Sequence, residues 1–266
     1  MTTSRTSERP ASPWSLGDFH VIGAGLLLVG ERLCDDIDLC AGKSVLDVAC
    51  GSGNTALAAA RRGCSVTGLD LVDSLTERAR LRSQAEGYSI TYLVGNAEQL
   101  PFEDAAFDVV LSTFGVMFAP DQERAANELM RVCRPRGTIA MANWTPESLP
   151  GELFKVSSAY MPPPPGVKPA IEWGTVPGLQ RLFGGRVSNM RLIDHSVRQR
   201  FVSIDAWVDT FRKYFGPVRN AFETLDAERR QTYEADLRKS VSKYNRATDG
   251  TLSVSMAYVN VSMQSG

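Results

Sequence analysis

The sequence predicts an α/β protein built on a doubly wound, mainly parallel sheet, and three observations carry that prediction. Between residues 43 and 144, short apolar runs alternate with helical stretches, each of about 10 to 15 residues, which is the rhythm of right-handed βαβ units covering both faces of a sheet. The first of those runs ends in "DVACGSGN" (47–54), an acid, two glycines and a helix start, the strand–turn–helix arrangement of a ligand-binding sheet edge. The 266 residues are 43% hydrophobic, with 29 Lys plus Arg against 30 Asp plus Glu. That is enough apolar material for one large core, and it leaves no global field for nucleic acid or an anionic membrane surface.

In chain order, "MTTSRTSERPASP" (1–13) lacks the apolar core of a signal peptide and reads as a disordered leader, and residues 14–266 read as a single domain. No apolar run reaches the length of a membrane span. "GDFHVIGAGLLLVGERLCDDI" (17–37) has apolar residues at helical spacing interrupted by glycine, so one or two helices precede the first strand. Strands are predicted at 43–50, 65–70, 90–96, 107–115 and 137–144, with helices at 54–63, 72–87 and 121–135. Beyond 145 the rhythm breaks, and "MPPPPGVKP" (161–169) is too rich in proline for anything but an extended connector. "SIDAWVDTFRKYFGPVRNAFETL" (203–225) carries aromatic and aliphatic residues three to four apart, broken near Gly216-Pro217, and predicts two amphipathic helices, with a third from about 226 to 247. Strands at 187–202 and 250–263 flank them. Residues 203–249 are thus a helical insertion, or lid, before the last strand.

Cys34, Cys40, Cys50, Cys64 and Cys133 are an odd number without Cys-x-x-Cys spacing, which fits reduced thiols in a cytoplasmic protein; no metal is implied. Gly51-x-Gly53-x-x-Ala56 matches a dinucleotide fingerprint with alanine in third place, a weak signal by itself. Side chains at 51 or 53 are expected to obstruct the ligand's approach to the backbone. Asp47, just before the turn, would repel a pyrophosphate but suits a ligand carrying an ammonium or sulfonium group. Asp70 ends the second strand 17 residues after Gly53, near the distance at which an acid accepts hydrogen bonds from ribose hydroxyls. A helix cap is the weaker reading for Asp70, because Asp73 or Ser74 is better placed to cap.

Taken together, "VLDVACGSGN", "VTGLDL", "GNAEQLPFEDAAFDVVLSTFG" and "ELMRVCRPRGTIAMANW" resemble, in order and spacing, the class I S-adenosylmethionine-dependent methyltransferases. The nearest relatives look like the type-11 group that includes the ubiquinone and menaquinone C-methyltransferases. The resemblance covers residues 43–144. It implies a Rossmann-like methyltransferase fold with a seven-stranded sheet, S-adenosyl-L-methionine as cofactor, and in-line transfer of a methyl group to a small or mid-sized organic acceptor. By position it puts Asp47, Gly51 and Gly53 along the methionine part of the cofactor, with Ala49 where the first glycine of the signature usually stands. Asp70 falls on the ribose diol and Leu71 packs on adenine. Asn96, Ala97 and Glu98 bracket the adenine edge, and Ser112 closes the pocket after the fourth strand. Asn96 replaces the usual aspartate; its amide still supplies an acceptor oxygen, without charge assistance, so weaker binding is expected. Arg136 stands where a glycine is common, at a turn remote from the ligand edge.

Methyl transfer from a sulfonium expels a neutral leaving group, so the protein mainly holds the acceptor close, aligned and desolvated. A phenol, hydroxyl or activated carbon would also need a general base, and His20 and His195 are the two candidates. His20 lies where related enzymes place a helix over the cofactor and is the preferred catalytic residue, against a surface or packing histidine; His195 in "IDHSV" is the weaker candidate. Asp18, Phe19, Phe114, Met117, Phe118 and Trp144 read equally as pocket walls and as core. The aromatic 145–249 region suits an apolar or aromatic acceptor. Its inserted helices would clasp that acceptor or the second subunit of a homodimer equally well. Two other functions stay open: a nicotinamide-dependent oxidoreductase, favoured by Gly51, Gly53 and Ala56 and opposed by Asp47, and a non-catalytic cofactor-binding interaction module.

Overall fold

The structure, a computed structural model, describes residues 13–266. The leader expected over 1–13 therefore lies outside the described residues except for Pro13, which opens a single 3-10 turn (Pro13–Ser15). After it come α1 (Phe19–Gly23), α2 (Leu27–Asp36), β1 (Ser44–Val48), α3 (Asn54–Arg61), β2 (Ser65–Asp70), α4 (Asp73–Ala85), β3 (Thr91–Val94), β4 (Phe107–Thr113), α5 (Gln122–Val132) and β5 (Cys133–Trp144). The second half adds α6 (Leu149–Tyr160), α7 (Val176–Phe183), β6 (Val187–Phe201), α8 (Ile204–Tyr214), α9 (Gly216–Thr224), α10 (Ala227–Tyr244) and β7 (Leu252–Ser265). The strands form one seven-stranded sheet in the order β3-β2-β1-β4-β5-β7-β6. The first five are parallel, and β7 runs antiparallel between β5 and β6. This is the α/β fold the sequence predicts, with helices ahead of β1 and a helical insertion before the last strand. None of the helices among the described residues is long and apolar enough to cross a membrane.

β1 is the hinge of this topology, because the chain winds from it to β2 and β3 on one side and, after returning, to β4 and β5 on the other. Val45, Leu46 and Val48 are fully buried, as a central parallel strand covered on both faces requires. The reversal opens a crevice at the carboxyl ends of β1 and β4, where doubly wound folds bind ligands. The turn after β1 is made by three positive φ angles, 55° at Ala49, 53° at Gly51 and 84° at Gly53. The two glycines serve different ends. A Cβ on Gly51 would meet only the Phe19 ring, at 3.8 Å, so this turn is open toward the crevice. One on Gly53 would stand 2.6 Å from the Tyr92 hydroxyl and 3.1 Å from Ala79, underneath the loop. Gly53 is therefore needed for packing, which corrects the expectation that both glycines clear a path for ligand. Ala49 keeps its methyl because its neighbour at 115 has none: a Cβ on Gly115 would lie 2.5 Å from that of Ala49.

Elsewhere the structure departs from expectation in identifiable ways. The helix expected through 135 ends at Val132, and β5 starts at Cys133, which pairs with Phe107 ahead of a register shift. Pro135 cannot extend a helix and Arg136 adopts φ 62°, so the backbone passes directly into strand. Between 145 and 186, α6, α7 and a 3-10 turn (Ala170–Gly174) surround the proline-rich connector. Ser148 caps α6 by accepting from the Gly151 N–H, and Thr175 caps α7 by accepting from the Gly178 N–H, each with proline in the first turn.

Residues 13–23 form a strap. Its start is moored to the insertion: the Asp18 N–H donates to the Tyr214 carbonyl (3.0 Å), Arg219 donates to the Leu16 carbonyl (2.6 Å), and the Trp14 ring packs on Phe118 (4.7 Å) and Phe215 (5.6 Å).

Gly53 and Gly87 test the packing argument, since both have φ above 80° or at it but nothing lies within 4 Å of a Cβ on Gly87. Gly87→Ala should cost about 1 kcal/mol of left-handed strain. Gly53→Ala should cost about 2 kcal/mol more through overlap, part of it recovered by adding Tyr92→Phe, as read by urea unfolding.

Candidate functional site

The crevice holds a cavity of about 40 Å³ whose walls include Asp47, Gly51, Thr113 and Phe114 from the sheet edge and Phe19 and Gly23 from the strap. Asp47 is fully enclosed, and neither of its carboxylate oxygens has a hydrogen-bond partner among the described residues. Burial pushes its pKa up to about 8; the Ala56 N–H acts in the opposite sense, and the nearby Asp70 adds to the rise. A carboxyl group in that position is kept neutral unless a cation arrives to pair with it.

Asp70 is buried too, yet it is well supplied with donors. Its Oδ2 accepts from the Gly51 N–H (2.8 Å) and its Oδ1 from the Val72 N–H (2.9 Å). Burial raises its pKa while these N–H groups lower it. It clasps the glycine turn to the entrance of α4. No side chain caps α4 at Val72, so neither Asp73 nor Ser74 takes the capping role expected of it, and Asp70 reaches only the Val72 N–H ahead of the first turn. Leu71 stands beside it, 52% exposed.

At the next strand the Gly95 N–H donates to the Asp70 carbonyl (2.9 Å), which brings the turn of Asn96, Ala97 and Glu98 alongside. The Asn96 Oδ1 accepts from the Glu98 N–H (2.9 Å), and the Glu98 carboxylate accepts from the Asp121 N–H (2.8 Å) at the start of α5. Glu98 is thereby turned to α5. Ser112 is likewise engaged within the fold: its hydroxyl donates to the Val48 carbonyl (2.8 Å) and accepts from the Val116 N–H (3.1 Å). The cavity wall is the next residue, Thr113, whose hydroxyl shares a 2.7 Å hydrogen bond with Thr55. Register explains the one-residue difference. Asp47 pairs with Leu111, and alternation puts Thr113, not Ser112, on the same face as both.

The strap closes this site through polar contacts. His20 Nδ1 lies 2.9 Å from the Ser52 hydroxyl, the Asn54 amide donates to the Gly23 carbonyl (2.9 Å), and Arg82 bridges the Ser52 carbonyl and the Asn54 side chain. Asp18, expected as a pocket wall, caps α1 and pairs with Arg78 at 3.1 Å. Burial lowers the His20 pKa, with Arg78 and Arg82 adding to the effect, so the ring is neutral at pH 7. His195 pairs with Asp36 (2.7 Å), which also accepts from Asn260 (2.7 Å); it ties α2 to β6 and β7 and is not among the cavity's walls. Of the other expected walls, Met117 is fully buried core, and Trp144 stacks face to face on Phe114 at 3.6 Å.

Residues 46–141 match the family described as a methyltransferase domain. The demethylmenaquinone methyltransferase of Thermus thermophilus is 37% identical over 106 residues, 39% of this chain and 48% of that enzyme. Residues 46–141 are an S-adenosylmethionine-dependent methyltransferase domain. The uncharacterized protein Rv1403c of Mycobacterium tuberculosis is similar to this methyltransferase over more of its length, 41% identical across 229 residues, 83% of this chain and 84% of that one. Among solved structures, a putative methyltransferase of Bacillus halodurans shares the fold with a TM-score of 0.60 at 20% identity, covering 88% of this chain and 97% of that one. S-adenosylmethionine is the cofactor, and the donor set suits it: an unpaired buried carboxyl for a cationic group, an open turn at Gly51, and an acid at the end of β2 for a diol. The cavity of about 40 Å³ beneath the strap has room for no more than a few waters.

The neutral Asp47 has a measurable consequence. Between its ordinary value of 3.8 and about 8, the folded protein keeps a proton that the unfolded chain releases, so stability falls as pH rises through that window; Asp70, also shifted upward, acts in the same sense. The contribution of Asp47 to the slope should approach about 1.4 kcal/mol per pH unit at most. Asp47→Asn removes its share, and urea unfolding at pH 5, 6.5 and 8 should show the variant gaining on the wild type as pH rises.

Proposed function

We propose that the methyltransferase acts on a small or mid-sized apolar or aromatic acceptor, held between the strap, the segment after β4 and the helices α8 and α9. The aromatic lining there supports this: Trp14 lies between Phe19, Phe118 and Phe215, with Phe118 in turn edge-on to Phe154. Trp207, Phe211 and Phe222 of the insertion turn inward, which supports the acceptor over a second subunit as the partner of these faces. Residues 14–266 then act as one domain with 203–249 as its lid. The five cysteines are free, which supports a reducing compartment such as the cytoplasm.

The observation that carries the cofactor placement is the buried, unpaired carboxyl of Asp47 beside the open turn at Gly51. The cofactor supplies a methyl group on a positively charged sulfur. On this reading Asp47 loses its proton when it meets the cationic methionine end, Asp70 receives the ribose diol at the oxygen lone pairs left by its two N–H bonds, and Leu71, Asn96 and Ala97 border the base. Ala49 and Gly53 shape the turn from behind, while Ser112 and Glu98 hold its surroundings in place. His20 latches the strap to the glycine loop through Ser52, in place of the general-base role expected from sequence. Rate enhancement comes from alignment and exclusion of water between aromatic walls.

Calorimetric titration tests the placement. S-adenosylmethionine and S-adenosylhomocysteine should bind and NAD should not. Run in buffers of different ionisation enthalpy at pH 7, binding should release close to one proton. Asp47→Asn should abolish the release, and both it and Asp70→Ala should weaken binding by at least about tenfold. Unchanged affinity in both variants, or binding of NAD, would overturn it.

A further inference from the structure

We infer that Asn96 offers the base of the nucleoside an N–H donor and not an acceptor oxygen, so that this methyltransferase tolerates a 6-oxo purine where adenine is expected. The inference rests on the cofactor placement proposed above. β2 and β3 pair with Asp70 opposite Val94, and the Gly95 N–H donates to the Asp70 carbonyl, so residue 96 begins directly beside the acid assigned to the diol. A nucleoside anchored there extends its base over the exposed Leu71 toward the turn that Asn96 opens.

The orientation of the Asn96 amide follows from its contacts. The Glu98 N–H can donate only to an oxygen, so the atom 2.9 Å away is Oδ1 and the free end of the amide is Nδ2. The turn is closed a second time by the Gln99 N–H on the Asn96 carbonyl (3.0 Å), which fixes the backbone that carries the side chain. Nδ2 has no hydrogen-bond partner among the described residues. The expectation that the amide would supply an acceptor oxygen to the base is thus corrected: that oxygen already serves Glu98.

An aspartate in the same turn would give one oxygen to the Glu98 N–H and present the other as an acceptor, which suits the exocyclic amino group of adenine. Asparagine presents a donor. Adenine offers a donor at position 6 with acceptors at N1 and N7, whereas a 6-oxo purine offers acceptors at position 6 and N7 and a donor at N1. Two donors cannot pair, so the Asn96 N–H meets adenine at N7, an acceptor that both bases share, and leaves the 6-amino group unread. A pocket that does not pair with a group discriminates weakly against its replacement, whereas a pocket built to pair with it rejects the replacement strongly.

The test compares S-adenosylhomocysteine with S-inosylhomocysteine, its 6-oxo counterpart, by calorimetry on the full chain. The wild type should favour the adenosyl compound by less than about tenfold, and Asn96→Asp should shift the ratio of dissociation constants toward it by about tenfold or more. A wild-type preference of tenfold or more, or a ratio that Asn96→Asp leaves in place, overturns the inference while the cofactor placement stands. Should the variant fail to fold, the wild-type ratio alone decides. Failure of the wild type to bind either compound removes the cofactor placement itself and the inference with it.

Discussion

Asp47 lies one residue from the end of the central strand, at the point where the strand order reverses, so its carboxyl group has strands on both sides and the start of α3 on its face, with only the Ala56 N–H opposing the cost of its burial. A charge there without a counter-ion would cost several kcal/mol, and the rest of the crevice is arranged around that constraint. The turn that follows it bends sharply through positive φ angles at Ala49 and Gly51. Asp70, a strand away and nearly as buried, has two backbone N–H groups of its own, and it holds the turn in shape. Two acids in one crevice thus differ in environment: Asp47 is buried without a hydrogen-bond partner, and Asp70 ties the loop through two N–H groups.

The strap adds a second constraint from outside. One end is held by Tyr214 and Arg219 of the insertion, the other by Ser52 and Asn54 of the glycine loop, and aromatic rings fill the space between. On the function proposed above, the strap is a wall common to the cofactor and acceptor compartments.

Most of the sheet and the acids at the ends of β1 and β2 were legible in the sequence, because buried parallel strands write themselves as apolar runs and a sharp turn near a ligand requires glycine. What was not legible depends on which atom a side chain meets. Gly53 looks like Gly51 until Tyr92, 39 residues on, is found beneath it. Ser112 and Thr113 are neighbours of similar chemistry, and only the register of β4 against β1 tells which one faces the cavity. An imidazole near neutrality suggests catalysis, but the partner of His20 is the loop it covers. The helices α6 and α7 were passed over because proline dominates their surroundings, although Ser148 and Thr175, each followed by a proline in the first turn, are recognisable helix starts.

β7 has a consequence for how the protein is made. It enters the sheet between β5 and β6, both synthesised earlier, and pairs with β6 along almost its whole length and with β5 from Tyr258 to Gln264. Until it leaves the ribosome, β5 and β6 have facing edges with nothing between them, and such unpaired edges invite association with other chains. Pairing of this kind is long-range in sequence and slow to form. Nascent chains stalled before β7 should therefore depend on protection by chaperones, whatever the stability of the finished sheet.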